Sequence, residues 1–226
     1  IILWLEKRSI LLNELIAIVD YNMGNLRSVE KSFSQYNCQV VVTNDHKIIS
    51  KADKVVLPGV GSFKDGMREL QKLQLIDVLN ESIIRDKKPF LGICLGMQLI
   101  AKKSFENGET EGLGWIDADV VKFDFSDSEN NLKVPHVGWN SVAYKNNCSL
   151  FNEIPNDSDF YFVHSYHYKI YEDVSTGETR HGEMFTSSIQ KNNIYGFQFH
   201  PEKSQSAGLK IIHNFTSVPR KKQLFS

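Results

Sequence analysis

The chain reads as an α/β protein: a single three-layer domain with a mixed, mainly parallel sheet flanked by helices. Three observations predict this. Short apolar, β-branched runs alternate with helix-period segments through the first half, the pattern of βαβ units. The run Pro89-Phe90-Leu91 leads directly into Gly92-Ile93-Cys94-Leu95-Gly96, a sharp strand-to-helix turn. A length of 226 residues suffices for one substantial core.

The elements follow in order. Ile16-Ala17-Ile18-Val19-Asp20 is a buried strand ending in turn residues. Asn25 to about Tyr36 has helical spacing, with Leu26, Val29 and Phe33 on one face. Gln39 to Val42 is a second strand and Lys54 to Leu57 a third, closed by Pro58-Gly59. Helices are expected from about Lys64 and from Leu75 to Arg85, and Phe90 to Ile93 is the strand before Cys94. In open α/β sheets ligands collect at the carboxyl ends of the strands, so Asp20, Pro58–Gly61 and Cys94 are expected to converge. After Gly112 the chain is richer in strand signals, at Val120 to Phe123, Asp159 to His164 and Ile194 to Phe199, and a helix near Ala207 to Phe215 closes the domain. Repeats, linkers and low-complexity tracts are not seen.

Composition excludes several classes. The 26 basic and 27 acidic residues leave a formal charge of −1 with no block of one sign, so nucleic acid is not an expected partner. Cys38, Cys94 and Cys148 are odd in number and irregular in spacing, which argues against a disulfide framework and fits a reducing cytosol. The seven histidines are scattered, so no metal site is expected. Ile1–Leu5 is apolar, but its charges follow it, the wrong order for a signal peptide, and Ile10-Leu11-Leu12 is too short to span a bilayer. Residues 1–14 read as an extension of unknown role, 15–217 as the domain and 218–226 as a tail.

Cys94 carries the chemistry. A nucleophile elbow strains its central residue so that the side chain stands clear of the sheet, and Gly92 and Gly96 relieve the backbone on either side. A helix starting at Leu95 turns its free N–H groups toward the sulfur, favouring the reactive thiolate. His200 suits a general base and Glu202 an orienting carboxylate. On an extended segment the two would point to one side, with Pro201 stiffening the backbone between them. The blander alternatives are a buried small hydrophobe for Cys94 and a plain turn for His-Pro-Glu; their joint occurrence favours chemistry.

Gly92-Ile93-Cys94-Leu95-Gly96-Met97-Gln98 and Gln198-Phe199-His200-Pro201-Glu202-Lys203-Ser204 resemble the two signatures of the class I (triad) glutamine amidotransferases. Asp20-Tyr21-Asn22-Met23-Gly24-Asn25-Leu26, Leu57-Pro58-Gly59-Val60-Gly61-Ser62-Phe63 and Pro135-His136-Val137-Gly138-Trp139-Asn140 narrow the resemblance to the glutaminase subunits of imidazole glycerol phosphate synthases. It runs from about Ile16 to Phe215 and implies a flavodoxin-like fold. It also implies a reaction, hydrolysis of glutamine to glutamate and ammonia through an acyl-enzyme on Cys94. The oxyanion then needs fixed N–H donors, assigned to Leu95 and to the Gly59-Val60-Gly61 strand end, for which a plain turn is the alternative. Gln98, one helical turn past Cys94, looks like the contact to glutamine; a solvated surface amide is the alternative. His164, Ser165 and Tyr166 resemble the segment bordering the substrate, with His164 structural rather than a second base.

The resemblance further implies no cofactor and a cytoplasmic heterodimer with a (β/α)8 barrel cyclase subunit. That partner would use the ammonia to make imidazole glycerol phosphate and an aminoimidazole carboxamide ribonucleotide in histidine biosynthesis. The Trp139 segment is implied to face the partner, though a core tryptophan is the alternative. Tyr161 and Lys203, large or charged beside the site motifs, are expected to relay the contact. Two other functions stand beside this one: supply of ammonia to a paralogous barrel that aminates a surface sugar, and a non-catalytic regulatory subunit, against which the intact Cys94, His200 and Glu202 speak.

Overall fold

The computed structural model describes residues 14–125, 132–145 and 148–220. Most of the N-terminal extension and the end of the tail, residues 1–13 and 221–226, lie outside the described residues. The first half is a parallel sheet built from β1 (Leu15–Val19), β2 (Gln39–Thr43), β3 (Lys54–Gly59) and β4 (Phe90–Cys94). Between them lie α1 (Leu26–Phe33), α2 (His46–Lys51), α3 (Phe63–Lys72), α4 (Leu75–Asn80) with a π-helical turn over Glu81–Arg85, and, directly after β4, α5 (Leu95–Leu99). The sequence pointed to neither α2 nor the π turn. Asp45 caps α2 by accepting from the Lys47 N–H at 2.7 Å.

The apolar runs are continuous because both faces of these strands are covered. In β1, Ile16 and Ile18 pack with Val29 and Phe33 of α1, while Ala17 and Val19 face the opposite cluster with Ile49, Phe63, Leu70 and Leu79. Each fully buried side chain of this size contributes about 1.5–3 kcal/mol. The closing helix α6 (Gln205–Thr216) adds Ile211, Ile212 and Phe215 to the α1 side, which completes three layers.

The second half extends the sheet with β5 (Ala101–Ser104), β6 (Thr110–Glu111), β7 (Ile116–Lys122), β10 (Tyr166–Ile170), β12 (Glu183–Lys191) and β13 (Ile194–Phe197). The order is β2-β1-β3-β4-β13-β12-β10-β7-β5-β6, parallel from β2 to β13 and mostly antiparallel beyond. A ribbon of β8 (His136–Tyr144) and β9 (Ser158–His164) joins through β11 (Ser175–His181). Its register sets His136 opposite His164 and Trp139 opposite Tyr161. The described residues contain no helix long and apolar enough to cross a membrane.

Candidate active site

Cys94 ends β4 and holds φ +52° and ψ −111°, a strained conformation for a residue with a Cβ. The glycines beside it are obligatory. An added Cβ on Gly92 would stand 2.8 Å from the Gly96 carbonyl oxygen, and one on Gly96 would overlap the Leu57 carbonyl. α5 spans only Leu95–Leu99, so its dipole at the sulfur is that of little more than one turn. The sulfur lies 3.9 Å from the Val163 carbonyl oxygen, and Gln198 Nε2 donates to it at 3.8 Å.

His200 and Glu202 meet by a different path from the extended segment the sequence suggests. Pro201–Lys203 forms a 3-10 turn with proline in its first turn, where its missing N–H costs nothing. The turn curls the Glu202 carboxylate back, and Oε1 sits 2.8 Å from His200 Nδ1. His200 is held through its backbone as well, its N–H donating to Tyr161 O at 2.9 Å and its carbonyl accepting from Ser204 Oγ at 2.6 Å. Its Nε2 is buried without a well-formed hydrogen bond and is left to the Cys94 sulfur. Burial pulls the imidazole down, but the Cys94 sulfur and then Glu202 outweigh it and hold the pKa up at about 10. An imidazolium beside the sulfur is the partner a thiolate needs.

The expected convergence of strand ends is visible. Gly59 is in register with Cys94, and Leu95 is buried beside it. The loop after β1 closes on this strand end. The Val60 N–H donates to Met23 O at 3.0 Å, so this N–H is occupied in the present state. Gly61 holds φ +108°, a conformation open to glycine. The cavity bounded by Asn25, Gly59, Val60, His200 and Glu202 measures about 10 Å³, space for a water rather than a glutamine. Tyr21 lies beneath Gly59, fully buried, with its hydroxyl unpartnered. Burial and the nearby sulfur push its phenol up, so it stays protonated.

Gln98 is not a solvated amide. It is buried, and its Nε2 donates to Tyr166 O at 3.0 Å and to Gln198 Oε1 at 2.9 Å. His164 is engaged at both ring nitrogens: Nδ1 is 2.9 Å from Tyr166 O and Nε2 is 3.1 Å from His136 Nδ1. Tyr166 thus meets Gln98 and His164 through its carbonyl, and the Ser165 carbonyl accepts from the Phe123 N–H at 3.3 Å. Trp139, Tyr161 and Lys203 form one surface group. Trp139 is 47% exposed and packs edge-on to Tyr161 with centroids 6.1 Å apart, and Lys203 Nζ stands 5.8 Å from the Tyr161 ring. Val137, 56% exposed, extends the apolar patch.

The profile of the family "Glutamine amidotransferase class-I" matches residues 17–218. The chain belongs to the class I glutamine amidotransferases. This amidotransferase is 46% identical over 201 residues to "Imidazole glycerol phosphate synthase subunit HisH 1" of Campylobacter jejuni (strain RM1221), covering 89% of this chain and 98% of the relative. It is 47% identical to "Imidazole glycerol phosphate synthase subunit HisH" of Methanocaldococcus jannaschii, covering 90% and 100%. Among solved structures a glutamine amidotransferase from Thermotoga maritima superposes with a TM-score of 0.58 at 18% identity, over 90% of this chain and 83% of that one; at that identity the likeness concerns the fold.

Sequence reasoning passed over three residues of this amidotransferase's site. Met23 contributes a backbone carbonyl, which leaves no trace in residue type. Tyr21 stood in a motif whose contact was not foreseeable. Gln198 stands two residues before His200, and that spacing was the one available signal.

Proposed function

We propose that this chain is the glutaminase subunit of an imidazole glycerol phosphate synthase. The observation that carries it is Cys94 on its strained elbow, flanked by an imidazole that Glu202 orients through Nδ1 while Nε2 is left for the sulfur. The reading is supported by the names of the relatives at 46–47% identity. Glutamine enters with its side-chain carboxamide against Cys94. The thiolate attacks the carbonyl carbon, and the developing oxyanion is met by the Leu95 N–H and by an N–H of Gly59–Gly61. His200 gives its proton to the leaving ammonia, and the thioester is then hydrolysed by water that His200 activates. Gln98, with the backbone of His164–Tyr166, borders the substrate.

Ammonia passes to a (β/α)8 barrel cyclase in a cytoplasmic heterodimer of histidine biosynthesis, docked on the Trp139, Tyr161 and Lys203 face. The occupied Val60 N–H fits a resting state: removing one oxyanion donor costs roughly 10²–10³ in rate. Partner binding would act by favouring the state in which that N–H is free, and only by its differential affinity for that state. The test is glutamate release by the chain alone and with saturating cyclase and acceptor nucleotide. A rise of about 10² or more with the partner is expected; full activity in the lone chain would make this an independent glutaminase.

A further inference from the structure

Gln198 is fully buried, contacts no solvent, and is absent from the chemistry described above. Its side chain joins two groups that are: Oε1 accepts from Gln98 Nε2 at 2.9 Å, and Nε2 donates to Cys94 Sγ at 3.8 Å. Which end of an amide is oxygen must be decided by the network around it. Here the network decides it from backbone groups, whose polarity is fixed.

The chain of bonds begins on β8. Asn140 Oδ1 accepts from the Ser141 N–H at 2.9 Å and Nδ2 donates to Arg180 O at 2.9 Å, which orients its amide. Nδ2 also donates to His136 Nε2 at 3.2 Å, so His136 carries its proton on Nδ1 and donates to His164 Nε2 at 3.1 Å. His164 then carries its proton on Nδ1 and donates to Tyr166 O at 2.9 Å. Both rings must be neutral for this. Burial and then His181 press His136 down to about 4, while burial and the neighbouring histidines press His164 down to about 3 against the pull of the Tyr166 carbonyl.

The same Tyr166 carbonyl accepts from Gln98 Nε2 at 3.0 Å, and a carbonyl cannot donate. The Gln98 nitrogen is therefore on that side, and its second proton requires an oxygen on Gln198. The Gln198 nitrogen is then the end that meets the sulfur. Every link agrees in direction. With Gln98 Nε2 engaged twice, Gln98 Oε1 is the amide atom left to a ligand.

We infer that Gln198 is a positioning residue of the glutaminase site: its amide nitrogen holds the nucleophilic sulfur, and its oxygen locks Gln98 so that Oε1 is presented to an N–H of the substrate. This rests on the glutaminase reading for the substrate arm only; the sulfur arm concerns the chain itself. Hydrogen bonds to a charged group are the stronger kind, so loss of the donor slows thiolate chemistry.

Two variants separate the arms. Gln198→Met removes both bonds at similar volume. Gln198→Glu keeps an oxygen for Gln98 but replaces the donor by an anion beside the sulfur. Alkylation of Cys94 by iodoacetamide, followed by peptide mapping on the isolated full chain at neutral pH, is expected to slow about tenfold in Gln198→Met and more in Gln198→Glu. With the cyclase present, the glutamine KM is expected to rise about tenfold in Gln198→Met and to stay within about twofold of wild type in Gln198→Glu. In a double-mutant cycle the KM effects of Gln198→Met and Gln98→Met should not add. Should Gln198→Met fail to fold, Gln198→Asn, too short to span both atoms, takes its place with the same expectations. Wild-type alkylation rates in both variants, or equal KM increases in both, would overturn the inference. A wild-type chain that releases no glutamate even with the cyclase and acceptor nucleotide present would instead sink the glutaminase reading and leave the alkylation arm to decide.

Discussion

At the scale of single residues, the proposed triad of Cys94, His200 and Glu202 divides the work unequally. In the mechanism proposed above, Cys94 forms the bond to carbon. Cys94→Ala is therefore expected to abolish glutamine-dependent synthesis in the complex and to spare synthesis from free ammonia, which bypasses the acyl-enzyme; glutamine use at the wild-type rate would reject the nucleophile. Glu202 Oε1 sits 2.8 Å from His200 Nδ1, and in the proposed mechanism it orients the imidazole without bonding the substrate. Glu202→Gln is expected to slow glutamine turnover by up to ~10⁴-fold, less than Cys94→Ala does. Equal losses in the two variants, measured as glutamate release, would contradict that ranking.

At the scale of elements, the elbow and the strand end opposite it set the geometry. Gly96 is fixed by contact, since an added Cβ would overlap the Leu57 carbonyl of β3. Gly96→Ala must push α5 off the sheet, and a loss of about 3 kcal/mol or more is expected from urea unfolding, the range of strained core substitutions. A loss below about 1 kcal/mol would mean that the elbow yields easily. The Val60–Met23 bond is an element-level feature of another kind. It ties the β3 end to the loop after β1 through a residue set between Gly59 and Gly61. β8 and β9 carry both the surface Trp139–Tyr161 pair and the buried His136–His164 pair on one register, so the face proposed for the partner shares a ribbon with the polar chain leading to Gln98.

At the scale of the whole molecule, buried neutral histidines make stability depend on pH. His136 at about 4 and His164 at about 3 lie below the value near 6.5 of an unfolded histidine. Below about pH 6.5 the unfolded chain binds protons that the native state refuses, so stability falls as pH falls. The slope approaches ~1.4 kcal/mol per pH unit for each histidine, and the window closes near pH 4 and pH 3 as the native rings protonate. Urea midpoints measured at pH 7 and pH 5 should therefore drop, and His136→Gln should flatten the difference. A midpoint unchanged between the two values would show that these rings are not neutral in the fold.

Much of this was legible in residue order. The β-branched runs, the glycines around Cys94 and the His-Pro-Glu segment are local signals, because a strand buried on both faces and an elbow each demand particular residue types in sequence. They were sufficient for the fold class, the parallel half and the candidate group of Cys94, His200 and Glu202. The antiparallel half was harder to read. Thr176, Thr179, Ser187 and Ser188 look solvated in sequence, yet they are buried and pair hydroxyl to hydroxyl across β11 and β12. The turn that folds Glu202 back on His200, the Met23 carbonyl on the Val60 N–H and the place of Gln198 between Gln98 and the sulfur were decided by tertiary structure alone. Each depends on a backbone group or a buried amide meeting a partner from a distant strand, and hydrogen-bond polarity across such distances is not written in residue type.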